Sequence, residues 1–127
     1  MKILLIEDDD SQRTLLRYII AKKSNGEIYE AKNGIEGLRL INIYSPDLIV
    51  LDLWMPVMSG LEMLEKLRQD ADHKSIPVII ITGMGDKDTI QNVVSKGIAG
   101  YILKPFTANQ IYAALSKFMP SLHTVVE

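Results

Sequence analysis

The sequence predicts a single α/β domain in which five strand–helix units, (βα)5, build a parallel sheet. Apolar runs of strand length alternate along the chain with segments whose apolar residues recur at helical spacing, a pattern typical of parallel α/β folds. Three of the runs are uninterrupted and rich in β-branched residues, as expected of strands covered on both faces: residues 3–6, 48–51 and 78–81. The length of 127 residues suits one domain with its own hydrophobic core.

The remaining strands and the strand boundaries have signals of their own. The second strand, at residues 27–31, alternates apolar and polar side chains, so we expect it at an edge of the sheet. Pro46 and Pro77 disfavour helix in the residues that precede them, and they stand just before the third and fourth strands. The fifth strand is predicted at residues 101–103, which form a short apolar run.

Five apolar stripes at helical spacing predict the helices. Asp9 or Asp10 can cap the start of the first helix, and Lys96-Gly97 marks the end of the fourth. The domain is expected to span residues 1–120, with a short C-terminal tail at residues 121–127. In chain order, the stripes are Leu15, Leu16, Ile19 and Ile20; Ile35, Leu38 and Ile41; Leu61, Leu64 and Leu67; Ile90, Val93 and Val94; and Ile111, Leu115 and Phe118.

Composition excludes several classes of function. A net charge of −2 and a pI near 5.7 give no general attraction to nucleic acid or to anionic membranes. The absence of cysteine excludes disulfides, thiolate zinc sites and cysteine nucleophiles. The first apolar run is too short for a signal peptide, and no apolar stretch approaches the roughly 20 residues of a membrane span. We therefore expect a cytoplasmic protein without membrane insertion.

Polar side chains follow four of the predicted strands, at the points where the strands end: Glu7 and Asp8, Asp52, Thr82, and Lys104. The carboxyl ends of parallel strands meet at one edge of a sheet, so these groups are expected to converge there. Two like charges about 4 Å apart repel by about 4 kcal/mol at an effective dielectric constant near 20. Three carboxylates must therefore raise their pKa values or bind a cation, and Mg²⁺ suits such a set of oxygens.

Each of these residues also has a purely structural interpretation. Glu7 and Asp8 could simply favour the start of a helix, where the dipole attracts acids. Thr82 could be an ordinary strand residue, and Lys104 a solvated loop lysine. A helix start does not explain Asp52, which ends a wholly apolar strand. A carboxylate nucleophile, a hydroxyl and an ammonium beside a metal are together what phosphoryl transfer needs.

In these motifs the chain resembles the receiver domain of two-component response regulators, over about residues 2–119. The resemblance implies a flavodoxin-like, doubly wound parallel sheet of five strands in the order 2-1-3-4-5. The motifs that carry it are Glu7-Asp8, Asp52-Leu53-Trp54-Met55-Pro56, Met58-Ser59-Gly60, Thr82-Gly83 and Gly100-Tyr101-Ile102-Leu103-Lys104-Pro105-Phe106.

For the chemical centre, the resemblance implies that Asp52 is the phosphoacceptor nucleophile. Glu7 and Asp8 would hold Mg²⁺ together with Asp52 and the backbone carbonyl of Trp54. Asp8 would bind the metal directly, and Glu7 partly through water. Glu7 stands where the family more often has Asp, so metal affinity is expected to differ modestly.

For the response to phosphorylation, the resemblance implies that Lys104 pairs with a phosphoryl oxygen and that the Lys104–Pro105 bond is cis. Thr82 would bond to the phosphoryl group and move toward it, and Tyr101 would swing inward. The surface formed by the fourth helix, fifth strand and fifth helix would then change, as a shift between two states.

The implied function is that of a phosphoacceptor, not of an enzyme that turns over a separate substrate. Its partners would be a histidine kinase or histidine phosphotransfer protein and a downstream protein target, with no direct nucleic-acid binding. An aspartyl phosphatase needs a second carboxylate two residues after its nucleophile, where Trp54 stands here. A flavin carrier needs a phosphate loop after the first strand, where residues 7–10 are acidic. A phosphorylation-independent adaptor has no feature in its favour, since the motif residues are all present.

Residues outside this set are expected to be structural. His73 lies in a polar stretch and is predicted to be solvated, and His123 lies in the tail, so neither is expected to carry a phosphoryl group. Met63 is expected to be partly exposed on the third helix. The resemblance implies that Trp54 and Met84, each two residues after a site residue, flank the path of the attacking water. Large apolar side chains there would hinder water and prolong the phosphorylated state.

Overall fold

The computed structural model, which describes residues 1–118, forms one parallel sheet of five strands in the order β2-β1-β3-β4-β5. The flavodoxin-like (βα)5 architecture is therefore confirmed, and β2 lies at an edge as predicted. The predicted tail at residues 121–127 and His123 lie outside the described residues. The elements are β1 (Lys2–Ile6), α1 (Asp10–Lys23), β2 (Glu27–Ala31), α2 (Gly34–Tyr44), β3 (Leu48–Leu51), α3 (Gly60–Gln69), β4 (Val78–Thr82), α4 (Lys87–Ser95), β5 (Gly100–Leu103) and α5 (Ala108–Leu115).

Two apolar clusters, one on each face of the sheet, hold the domain together. Successive strand residues point to opposite faces, so Ile3 belongs to one cluster and Leu4 to the other. The first cluster packs α1 and α5 on the sheet, and the second packs α2, α3 and α4 on it. This burial on both faces explains why β1, β3 and β4 read as continuous apolar runs.

Every helix begins at a side chain that accepts a hydrogen bond from the first turn, which is the usual way to satisfy the free amides there. The five caps are Asp9, Asn33, Ser59, Asp86 and Thr107. Asp9 is one of the two caps predicted for α1. The predicted end of α4 is also confirmed, since Lys96 is its C-cap and Gly97 follows with a φ of 78°.

The apolar stripes predicted for the helices include residues that the helices do not bury. Leu15, Ile35 and Val94 are 48%, 54% and 55% exposed, because each lies at the margin of its stripe. Conversely, Met63 is fully buried between α3 and the sheet, so the expectation of partial exposure was wrong. Phe118 lies beyond the end of α5 at Leu115, although it still packs against the first cluster.

His73 lies in the loop after α3, as predicted, but the expectation that its side chain is solvated was wrong. Its imidazole Nδ1 lies 2.8 Å from Asp70 Oδ2 and its Nε2 lies 3.2 Å from Ser45 Oγ. The side chain is only 13% exposed. His73 therefore joins the ends of α2 and α3 at the edge of the sheet opposite to the acidic motifs.

Within residues 1–118, each helix falls short of the length and apolar character that crossing a lipid bilayer requires.

Candidate functional site

The parallel register of the sheet brings the predicted site residues to one edge. Ile6, the last residue of β1, pairs with Ala31 and Leu51, and Thr82 pairs with Leu103. The hydrogen-bond pattern continues one residue further, because the Asp52 amide donates to the Ile6 carbonyl at 3.1 Å. The residues that follow neighbouring strands therefore emerge side by side at the carboxyl edge.

Three carboxylates converge at this edge. One oxygen each from Glu7, Asp8 and Asp52 lie within 4.8 Å of one another. Glu7 and Asp52 are 1% and 5% exposed, whereas Asp8 faces solvent. Buried and exposed oxygens in one cluster fit a hard divalent cation that keeps part of its hydration shell, as Mg²⁺ does. The structure thus brings together the three predicted acidic ligands.

Lys104 supplies the positive charge of this cluster. Its ammonium nitrogen lies 2.7 Å from Glu7 Oε1 and 3.1 Å from Asp52 Oδ2. Burial alone would lower the pKa of Lys104, but the hydrogen bond to Glu7 and the charge of Asp52 outweigh it and raise the pKa. The peptide bond between Lys104 and Pro105 is cis.

Glu7 is the most strongly perturbed acid of the site. Burial raises the pKa of its carboxyl to about 7, helped by the nearby negative charge of Asp52. The hydrogen bonds from Lys104 and from the Asp9 amide act in the opposite direction, but they do not cancel the burial. A buried carboxylate in this position favours either a proton or a metal ion as its partner.

Asp52 is held by the loop that follows it. The amide of Trp54 donates to Asp52 Oδ1 at 3.1 Å, which leaves Oδ2 on the side of Lys104. The indole of Trp54 is 72% exposed and lies along an open cleft of about 490 Å³. The cleft is lined by Asp52, Trp54, Gly83, Met84 and Lys104. The role of the Trp54 carbonyl as a metal ligand stays a prediction.

Gly60 fixes the course of this loop. Its amide donates to the Leu53 carbonyl at 3.0 Å. A Cβ atom at this position would lie 2.2 Å from the carbonyl oxygen of Asp52, closer than any real contact. The backbone of the predicted nucleophile is thus packed directly against α3, and only glycine permits that approach.

Thr82 and Tyr101 meet at the backbone of Met84. Thr82 is fully buried, and its Oγ1 accepts the Met84 amide at 3.4 Å. The Tyr101 hydroxyl donates to the Met84 carbonyl. The backbone of Met84 is therefore held by a side chain from the end of β4 and by one from β5. Gly83 lies between Thr82 and Met84 in the sequence, and a Cβ atom at its position would have no neighbour within 4 Å.

Arg13 is the site residue that sequence reasoning missed. It lies on the buried face of α1, where its guanidinium donates to the Glu7 carbonyl at 2.9 Å. A signal was available, since Arg13 stands three residues before Leu16 of the apolar stripe and thus shares its helix face.

Comparisons with known proteins identify the family of the chain. The family model of the response regulator receiver domain matches residues 3–116. The chemotaxis protein CheY of Listeria monocytogenes is 32% identical, over 92% of this chain and 97% of that protein. The sensor histidine kinase TmoS of Ectopseudomonas mendocina is 30% identical, over 93% of this chain but 12% of the kinase. The structure of the Vibrio cholerae chemotaxis protein CheY4 has a TM-score of 0.83 and 26% identity, covering 91% of this chain and 96% of CheY4.

Proposed function

Because the chain belongs to the response regulator receiver family, whose members are phosphoacceptors of two-component signalling, we propose that it accepts a phosphoryl group on Asp52. The observation that carries the proposal is the convergence of three carboxylates and one ammonium at the carboxyl edge of the sheet. Such a set suits phosphoryl transfer, in which catalysis is mostly positioning and charge neutralisation. The domain proposed to carry this function spans residues 1–120.

Receiver domains typically bind Mg²⁺, and the acidic cluster fits that ion. Glu7, Asp8 and Asp52 would hold it with their carboxylates, and Trp54 with its carbonyl. When bound, Mg²⁺ supplies the positive charge that offsets the acids and the incoming phosphoryl oxygens. The buried oxygens of Glu7 and Asp52 and the open side of Asp8 favour partial hydration of the ion.

In the proposed transfer, a carboxylate oxygen of Asp52 attacks the phosphorus of a phosphohistidine. The new P–O bond forms as the P–N bond breaks, and the electron pair of that bond returns to the ring nitrogen. The histidine leaves as a neutral imidazole because its other ring nitrogen carries a proton. Lys104, already 3.1 Å from Asp52 Oδ2, would neutralise a phosphoryl oxygen. Thr82 would donate its hydroxyl hydrogen to another.

The proposed phosphodonor is a histidine kinase or a histidine phosphotransfer protein. Relatives of this chain include receiver-like segments within sensor histidine kinases, which supports a donor of this kind. The proposed recipient of the signal is a downstream protein in the cytoplasm rather than nucleic acid. The chain would catalyse its own phosphorylation and dephosphorylation without turning over a separate substrate, and Trp54 stands where a phosphatase would need its second carboxylate.

The proposed switch couples Thr82 to Tyr101 through Met84. Movement of Thr82 toward a phosphoryl group would release the Met84 amide, to which its Oγ1 is now bonded. The Met84 carbonyl that accepts from Tyr101 would move with it. The α4-β5-α5 surface, where Val94 and Leu103 are exposed, would then favour a different conformation.

A fluorescence titration of Trp54 tests the proposal, because this is the only tryptophan and it lines the cleft above Asp52. We expect one signal change on adding Mg²⁺ and a second on adding acetyl phosphate. The Asp52→Asn variant should lose the second change. If Mg²⁺ and acetyl phosphate leave no acid-stable, hydroxylamine-labile phosphate on the wild-type protein, the proposal is wrong.

A further inference from the structure

We infer that Arg13 is a positioning residue of the metal site, which sets the Mg²⁺ affinity by fixing the backbone between Glu7 and Asp8. Its guanidinium donates to the Glu7 carbonyl at 2.9 Å. This inference rests on the proposed function of Glu7, Asp8 and Asp52 as metal ligands.

The guanidinium of Arg13 makes three polar contacts, one from each of its nitrogens. Its side chain is 10% exposed, and besides Glu7 it contacts Asp10 Oδ1 at 2.6 Å and Glu30 Oε1 at 3.1 Å. A buried guanidinium needs several partners to offset its lost hydration. The planar group offers its donors in a fixed geometry, so three contacts in three directions restrict where it can lie. Arg13 thus links β2, α1 and the end of β1 through one side chain.

Backbone amides, including that of Arg13 itself, close the turn that carries the acids. The Arg13 amide donates to the Asp9 carbonyl at 2.9 Å, and the Asp9 amide donates to Glu7 Oε2 at 3.1 Å. The Glu7 carboxylate is held by Lys104 and Asp9, whereas its carbonyl is held by Arg13. The peptide plane between Glu7 and Asp8 is therefore fixed, and with it the direction in which Asp8 leaves the sheet.

The charge of Arg13 and its positioning role predict opposite changes in Mg²⁺ affinity when the residue is replaced. A guanidinium beside the turn that carries Glu7 and Asp8 repels an incoming metal ion, so charge alone predicts tighter Mg²⁺ binding when Arg13 is neutralised. Positioning predicts weaker binding, because groups that orient metal ligands typically contribute 10–100-fold to affinity. The sign of the change therefore separates the two effects.

The test measures the Mg²⁺ dissociation constant by Trp54 fluorescence and by calorimetry in Arg13→Gln and Arg13→Lys. We expect about tenfold weaker binding in R13Q. The loss should be smaller in R13K, which keeps the charge but lacks the planar array of donors. Arg17→Gln is the matched control. Arg17 also pairs with Glu30, at 2.9 Å, but its other contact is the Ile28 carbonyl. An R13Q affinity equal to or tighter than that of the wild-type protein overturns the inference.

Amide hydrogen exchange in the metal-free protein provides a readout that needs no Mg²⁺ and no phosphorylation. We expect faster exchange at the Asp9 and Arg13 amides in R13Q and R13K, and unchanged exchange there in R17Q. Unchanged exchange in both Arg13 variants contradicts the inference. A wild-type protein that binds no Mg²⁺ would instead contradict the proposed function, so the two failures are distinguishable. Thermal unfolding of each variant verifies that it is folded.

Discussion

At the scale of single residues, one backbone contact beside Asp52 is too close to admit a Cβ atom. Gly83 lines the proposed phosphoacceptor cleft and Gly60 packs against the backbone of Asp52, yet the space around the two glycines differs. A Cβ at Gly60 would meet the Asp52 carbonyl oxygen at 2.2 Å, whereas a Cβ at Gly83 would meet nothing within 4 Å. The two glycines form a matched pair for experiment.

We predict that Gly60→Ala lowers the free energy of unfolding by roughly 1–3 kcal/mol, because the backbone must shift to relieve the clash. The shift should displace Asp52 and weaken Mg²⁺ binding as well. Gly83→Ala should be neutral or raise stability by about 0.4–1 kcal/mol, since it restricts the unfolded chain without a clash. Urea unfolding and Mg²⁺ titration of both variants check this. Equal effects of the two substitutions would contradict the packing argument.

Trp54 and Met84 line the open cleft beside Asp52. We predict that replacing both with Asn speeds the loss of phosphate from Asp52 about tenfold, equivalent to about 1.4 kcal/mol of activation free energy. The physical reason is that two apolar side chains along the cleft exclude an in-line water molecule more effectively than amides do. The measurement is the decay of phosphorylated protein after removal of the donor. An unchanged decay rate would discard this interpretation, and the Val57→Asn variant, an exposed loop position, is the control.

At the scale of elements, Arg68 connects α3 to the end of α4. Its guanidinium donates to the carbonyls of Lys96 at 3.0 Å and Gly97 at 2.6 Å, which belong to the C-terminal end of α4. It also donates to the carbonyls of Lys74 at 3.0 Å and Ile76 at 3.1 Å, in the segment that leads to β4. Carbonyls at helix ends lack partners within the helix, so one arginine satisfies several of them.

We predict that Arg68→Met, which keeps much of the apolar stem, lowers the free energy of unfolding by about 1–3 kcal/mol. Amide exchange should increase near the end of α4, because its carbonyls lose their charged donor. Arg39→Met serves as the control, since Arg39 is an exposed residue of α2, and it should change stability by less than about 0.5 kcal/mol. Circular dichroism during urea unfolding gives both values. Identical stabilities of the two variants would show that Arg68 has no such role.

Sequence reasoning succeeded for the elements whose signal is local. The strands and their polar endings are visible in the sequence because strands buried on both faces have no polar positions. The exposure of Met63 and Leu15 was not predictable to the same degree, because helical spacing identifies a stripe but not its exact width. The contact between Arg13 and the Glu7 carbonyl depends on how α1 packs against the end of β1, which no local pattern records.

At the scale of the whole molecule, the buried carboxyl of Glu7 connects global stability to pH. Burial raises its pKa from 4.5 to about 7, so the folded state binds a proton that the unfolded state has already released between these values. The contribution of Glu7 to stability is thus fully present below about pH 4.5 and is lost as the pH rises through about 7. The direction is opposite to that of an acid stabilised by an ion pair.

We predict that the metal-free protein loses up to about 3 kcal/mol of stability between pH 5 and pH 8 relative to Glu7→Gln, which carries no titrating group. Mg²⁺ affinity should rise over the same range, because the ion and the proton compete for one carboxylate. Urea unfolding of both proteins at the two pH values, with and without Mg²⁺, measures each effect. If the wild-type protein and E7Q keep the same difference in stability at both pH values, the assignment of this proton to Glu7 is wrong.

Lys104 already occupies the space between Glu7 and Asp52, with an oxygen of each acid within 3.1 Å of its nitrogen. The ammonium of Lys104 therefore serves as an internal counter-ion for the two acids. Removing magnesium from a solution of this protein should leave a folded chain in which Glu7 and Asp52 stay close together. The ability to react with a phosphodonor should return as soon as the magnesium salt is restored. Signalling competence would then follow the supply of phosphodonor, with no refolding step in between.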